Sequence, residues 1–312
     1  YETLPLAYTP NCTGDPREGP CPGTVVDGNP PNGLRQYSIH VFLLPFMERQ
    51  GLYDGFDFDF SYIDKRPNPP VNNREFAFTE IPEYQCPSTP ARPGEYATDY
   101  AVAVDMLETS FCDLQNSGLV QPRNLEDLEG MINDTPITYR KVTDGLSNTL
   151  MFFEDAGRPD HYIAGGEIDP DEPRVPNGWR WADPLSYFVW GHPEDCGLTT
   201  VMNCDNRDEI YSFHPGGANF LFGDGSVDFI TESVDVETFI SLFTRAAGDV
   251  AGEYLRVAAD FSTPRYSGAT VTSSALTDSI CSPPICVSPS AKPTTSDRSH
   301  RRLIWRGMPC AK

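Results

Sequence analysis

The chain has 312 residues, 39% of them apolar and 12% aromatic, with 30 prolines and 25 glycines. That apolar share builds a core and excludes a disordered polymer, while the Pro and Gly content points to long loops between short elements. The net charge is −22 and uneven: residues 1–260 hold 16 basic and 43 acidic residues, whereas 261–312 hold seven basic and two acidic ones, so the body repels phosphate backbones and nucleic acid is excluded as its partner.

Residues 1–36 are rich in Pro, Gly and Asn and read as an irregular loop. The first strong apolar segment is YSIHVFLLPFMERQGLY (37–53). Pro45 divides it, because proline interrupts a helix interior; the expectation is a strand at 38–43 and a short helix at 45–53. YQCPS (84–88) and ATDYAVAV (97–104) read as short buried strands, and 113–135 as polar loop with room for a brief turn of helix. In ITYRKVTDGLSNTLMFFED (137–155), Thr143 and Asp144 mark a turn, and 149–154 reads as a strand. WRWADPLSYFVW (179–190) is aromatic and partly buried. ANFLFGDGSVDFI (218–230) has two β-prone runs around a Gly-Asp-Gly-Ser turn, a hairpin pattern. ESVDVETFISLFTR (232–245) spaces Val236, Phe239, Ile240 and Phe243 as a helix, with Ser233 and Asp235 as caps. Beyond residue 259, Ser, Thr, Pro and Arg dominate. The division is therefore a globular domain at 1–259 and a disordered tail at 260–312.

Six of the nine cysteines lie in the body: Cys12, Cys21, Cys86, Cys112, Cys196 and Cys204. The number and the even count imply disulfides and an oxidising compartment. Pairing Cys12 with Cys21 and Cys196 with Cys204 closes small loops and leaves Cys86 with Cys112, one of 15 arrangements that six cysteines allow. His192 with Cys196 and Cys204 offers a zinc reading, but the spacing matches no standard zinc motif. His214, Gly216 and Gly217 open the hairpin; Asp224 and Gly225 turn it. His214 either fixes strand register or joins Asp224 in a metal or ligand site. Calcium as a cofactor would draw oxygens from Asp224, or from Asp169, Asp171 and Glu172, though neither segment has EF-hand spacing. Trp179, Trp181 and Trp190 belong to a core, an interface or a ligand-stacking platform. There is no G-x-S-x-G elbow, P-loop or dinucleotide fingerprint, and no nucleophile with an evident partner, so the expectation is that the chain is not an enzyme.

His214, nine intervening residues and Asp224-Gly225 together resemble the C-terminal H-x9-DG signature of a bacterial family of prepilin-like proteins with an N-terminal cleavage/methylation motif and a domain of unknown function. Other segments are similar in the same order: VFLLPFMERQGLYDGFDF (41–58), YQCPSTP (84–90), TDYAVAV (98–104), VTDGLSNTLMFFEDAG (142–157) and GWRWADP (178–184). The resemblance implies an α+β, pilin-like head with an antiparallel sheet, short helices and long loops, whose N-terminal apolar helix is absent from this chain. It implies a non-catalytic, pseudopilin-like structural subunit of a pilus-like or secretion-related assembly. Its partners would be other pilin-like subunits or itself, its place the cell envelope or exterior, and its membrane contact only the missing helix. A surface solute- or glycan-binding module is the second expectation, and a metal-dependent hydrolase the third.

Overall fold

The computed structural model describes residues 3–8, 37–58, 60–68, 70–133, 135–191, 196–207 and 209–248. The tail at 260–312 and residues Cys12, Cys21 and His192 lie outside them. The class is α+β. Four strands form an antiparallel array: β3 (Tyr100–Met106), β4 (Leu150–Glu154), β8 (Gly217–Phe222) and β9 (Val227–Thr231). The expected antiparallel sheet is therefore present, and β7 (Tyr187–Trp190) adds to it by pairing with β3 in parallel, giving the order β7-β3-β4-β8-β9. Two small two-stranded pieces stand apart, β1 (Lys65–Pro67) with β2 (Pro70–Asn72) and β5 (Tyr162–Ile163) with β6 (Glu167–Ile168).

Side chains alternate across a strand, so each strand feeds two cores. On one face, Ala101, Phe153, Phe220, Phe222 and Ile230 meet α4 (Glu108–Asn116) and α5 (Val236–Phe243). On the other, Val102 and Val104 meet Ile39, Met131, Ile132 and Ile137. A third cluster gathers Tyr37, Val41, Leu44, Phe56, Tyr84 and Trp181. α5 forms where the apolar spacing predicts it: the Asp235 carboxylate accepts the Thr238 amide at 3.0 Å, satisfying one of the orphan donors of the first turn. Phe239, fully buried, packs its ring 5.2 Å from Trp190; burial of a side chain of this size contributes about 1.5–3 kcal/mol.

The hairpin is also as expected. Gly225 takes a left-handed φ of 87°, and Asp224 Oδ1 accepts the Ser226 amide at 2.9 Å. Gly217 is required for another reason: a Cβ there would lie 2.2 Å from the Ile230 carbonyl oxygen.

Two local expectations fail. The predicted strand at 38–43 is α1 (Ile39–Leu43), followed by a 3-10 turn at Leu44–Met47 and α2 (Gln50–Tyr53). Ile39 enters one core while Val41 and Leu44 enter another, so the apolar residues of this run serve both sides of a helix; tertiary burial overrides the β-prone composition. The predicted strand at 84–88 is the end of a 3-10 turn, Pro82–Tyr84, and a loop. α4 ends at Asn116, so only its last four residues enter the stretch read as polar loop with a brief turn of helix; it has few apolar residues but buries Phe111 and Leu114. The other short helix is α3 (Asn73–Ala77).

His40 of α1 is buried between Thr98 Oγ1, at 3.2 Å from its Nε2, and the ring of Tyr84. Burial is the main cause that lowers its pKa to about 4, with the Arg158 charge adding to it. Protonation is thus harder in the folded chain than in the unfolded one, where the value is about 6.5. The linked stability is complete above about pH 6.5 and is lost as pH falls toward 4, a swing of roughly 3 kcal/mol. Urea unfolding of the wild type and of His40→Gln at pH 7, 6, 5 and 4 should show a gap that narrows with acid; parallel curves would refute this.

Candidate functional site

Glu154 closes β4, Cys86 follows the 3-10 turn, and His214 precedes β8. The fold brings these three side chains together from positions up to 128 residues apart. His214 Nε2 lies 3.3 Å from Cys86 Sγ and 3.2 Å from Glu154 Oε1. Its other nitrogen, Nδ1, lies 3.3 Å from Ser88 Oγ. Glu154 is 1% exposed and Cys86 4%, while the His214 side chain is 28% exposed. The second carboxylate oxygen of Glu154, Oε2, accepts the Ser212 hydroxyl and the Asn219 amide, both at 2.8 Å.

Each member is held by backbone geometry. The Cys86 amide donates to Asp99 Oδ2 at 2.8 Å, and the His214 amide donates to Ser212 Oγ at 3.1 Å. Asp99 is fully buried. It also accepts the Arg92 guanidinium at 2.7 Å and the Gly157 amide at 2.9 Å.

Cysteine and histidine this close suggest a nucleophile and its base, but the geometry argues otherwise. A relay places nucleophile and orienting carboxylate on opposite ring nitrogens; Cys86 and Glu154 both face Nε2, and the group across the ring is the Ser88 hydroxyl. Activation also requires a depressed thiol pKa. Burial pushes the Cys86 thiol up instead, and the neighbouring Glu154 and Asp99 charges push the same way. What the arrangement offers is three donors of different chemistry aimed at one point.

The other candidate residues go elsewhere. Gly216, at φ 78°, and Gly217 shape the strand entry. Asp224 sits in the turn at the opposite end of β8 from His214, so the two do not share a site. The calcium set is also dispersed. Asp169 Oδ1 accepts the Asp171 and Glu172 amides at 2.8 and 3.2 Å, and these bonds lower its pKa. Glu172 pairs with Arg207 at 3.0 Å. Among the described residues, one group of three metal-capable side chains converges, and it is Cys86, Glu154 and His214.

The tryptophan platform is not formed. Trp181 and Trp190 are fully buried, with indole N–H groups donating to the Thr79 and Val201 carbonyls. Trp179 has its face covered by the Arg180 guanidinium, 4.3 Å from the ring. The Cys196–Cys204 disulfide is present. The expected Cys86–Cys112 pair is not: Cys86 is a free thiol, and Cys112 is bonded in a disulfide that excludes it. Counting cysteines in pairs assigned Cys86 to a bridge and so hid the site. The available signal was that CPS, the glutamate ending TLMFFE and the histidine of HPGG fall in separate segments of one ordered pattern.

Asp99→Asn tests the frame beneath the site. An amide presents one acceptor where three donors converge and leaves Arg92 buried without its counter-charge, so unfolding free energy should drop by about 3–5 kcal/mol. Denaturant melts measure this; a loss below about 1 kcal/mol would show that the network is not structural.

No curated protein and no solved structure matches the chain. One family model matches residues 1–237, about three quarters of the sequence, and the chain belongs to that family, SBP_bac_10, described as a protein of unknown function (DUF1559).

Proposed function

We propose that this chain is the head of a pilin-like surface subunit, built to present a rigid shape rather than to catalyse. The observation that carries the reading is the segment that begins at His214 and contains the Asp224-Gly225 turn: residues 217–231 form a hairpin that extends the antiparallel sheet and is packed beneath α5. The ordered segments that resemble prepilin-like proteins fall on this frame, and the Cys196–Cys204 disulfide accords with an oxidising exterior. Among the described residues no helix is long and apolar enough to cross a membrane; anchoring would be the task of a helix upstream. The partners would be other pilin-like subunits or further copies, in the cell envelope or outside it.

The test is to express the complete gene in its native host and determine the mature N-terminus by mass spectrometry. Cleavage directly before a long apolar helix, with the product in the envelope fraction and cross-linked to pilin-like subunits, is expected. An uncleaved product confined to the cytosol would overturn the proposal.

A groove of about 400 Å³ favours a second reading, a surface module for small apolar solutes. Its walls include Leu43, Tyr84, Tyr100, Phe152 and Leu221, a concave and mainly apolar lining of the kind ligands use. This reading replaces the tryptophan platform. A naphthalene-sulfonate probe should bind the wild type and be lost on Leu221→Arg; equal binding by both would remove the groove from consideration.

A further inference from the structure

We propose that Cys86, Glu154 and His214 form a binding site for a zinc-class divalent cation, with one coordination position open. Cys86 Sγ, His214 Nε2 and one carboxylate oxygen of Glu154 all lie within 4.8 Å of one another, and two of the separations are 3.2 and 3.3 Å. Tetrahedral zinc, with ligands at about 2.0–2.3 Å, separates its donors by about 3.3–3.7 Å. The cluster therefore needs only a small adjustment to enclose an ion.

The surroundings are arranged for ligation. When Nδ1–H of His214 donates to Ser88 Oγ, Nε2 presents its lone pair to the point shared with the sulfur and Oε1. A metal-bound imidazole is commonly held in this way through its other nitrogen. The Ser212 hydroxyl and the Asn219 backbone amide engage Glu154 Oε2 at 2.8 Å, while Oε1, touched by the Asn219 side-chain amide only at 3.4 Å, faces the same point. A thiolate and a carboxylate would bring two negative charges into a buried place, and a divalent cation balances both. The donor set also selects the ion. Sulfur and imidazole suit zinc and similar transition metals, whereas calcium and magnesium require oxygen cages. Three protein donors leave a fourth position, on the side where His214 is partly exposed, for water or a ligand.

Cobalt(II) is the probe, because thiolate coordination gives it a charge-transfer absorption. It is titrated into the chelator-treated full chain with its disulfides left intact. The expected result is saturation at one ion per chain, displacement by zinc and no displacement by equal calcium. Cys86→Ser should abolish the sulfur band. Glu154→Gln and His214→Ala should each weaken binding at least tenfold. Ser88→Ala, at an exposed position outside the cluster, should weaken it about 10-fold to 100-fold while circular dichroism stays unchanged. A folded protein with no sulfur band, a band that survives Cys86→Ser, or displacement by calcium would each overturn the site.

Discussion

A charge that cannot reach water organises this molecule. Asp99 lies at the entry to β3 with no exposed surface. Leaving a carboxylate there unpaired would be prohibitive, so the chain must bring donors to it. Arg92 supplies the counter-charge, and the amides of Cys86 and Gly157 supply the remaining bonds. Those donors come from the loop before β3 and the loop after β4. Arg92 also donates to the Arg158 carbonyl at 2.6 Å, and Arg158 pairs with Asp155, itself fully buried. One electrostatic requirement thus sets where two long loops meet the sheet. It also delivers Cys86 to the side of Glu154, the residue next to Asp155.

The elements legible from sequence are those whose signal is local. The Gly-Asp-Gly-Ser turn needs only its own residues, since Gly225 provides the φ and Asp224 the side-chain bond. The periodic apolar positions of α5 and the capping carboxylate of Asp235 are similarly self-contained. The segment at 39–43 misleads because four of its five residues are apolar and they face more than one core, with His40 buried among them. Such runs have no period, and only the two cores flanking α1 decide that it is a helix. α4 carries a weak signal for the opposite reason, being mostly polar with Phe111 and Leu114 as its buried anchors. The converging cluster was out of reach because its members are separated by 68 and 60 positions along the chain and their meeting depends on the loops that Asp99 ties down.

Aromatic density has a plain structural use here. Trp181 packs against Phe56 and Tyr84, with ring centres 6.2 and 6.0 Å away, and Trp190 packs under Phe239. Large rings fill space between short elements that have little regular structure of their own to bury. The acidic composition and the aromatic interior are consequently separate features: one repels other acidic surfaces, the other fills the space between the loops.

The parallel placement of β7 beside β3 carries a kinetic consequence. Val102 pairs with Tyr187, so a stretch of more than 80 residues must be looped out before that contact can form. The entropy of closing such a loop is lost before the pairing returns anything. The β8–β9 ribbon, whose strands are joined by four residues, closes far sooner. Assembly of the sheet should therefore proceed inward from its C-terminal side, and β3 should acquire its second neighbour last.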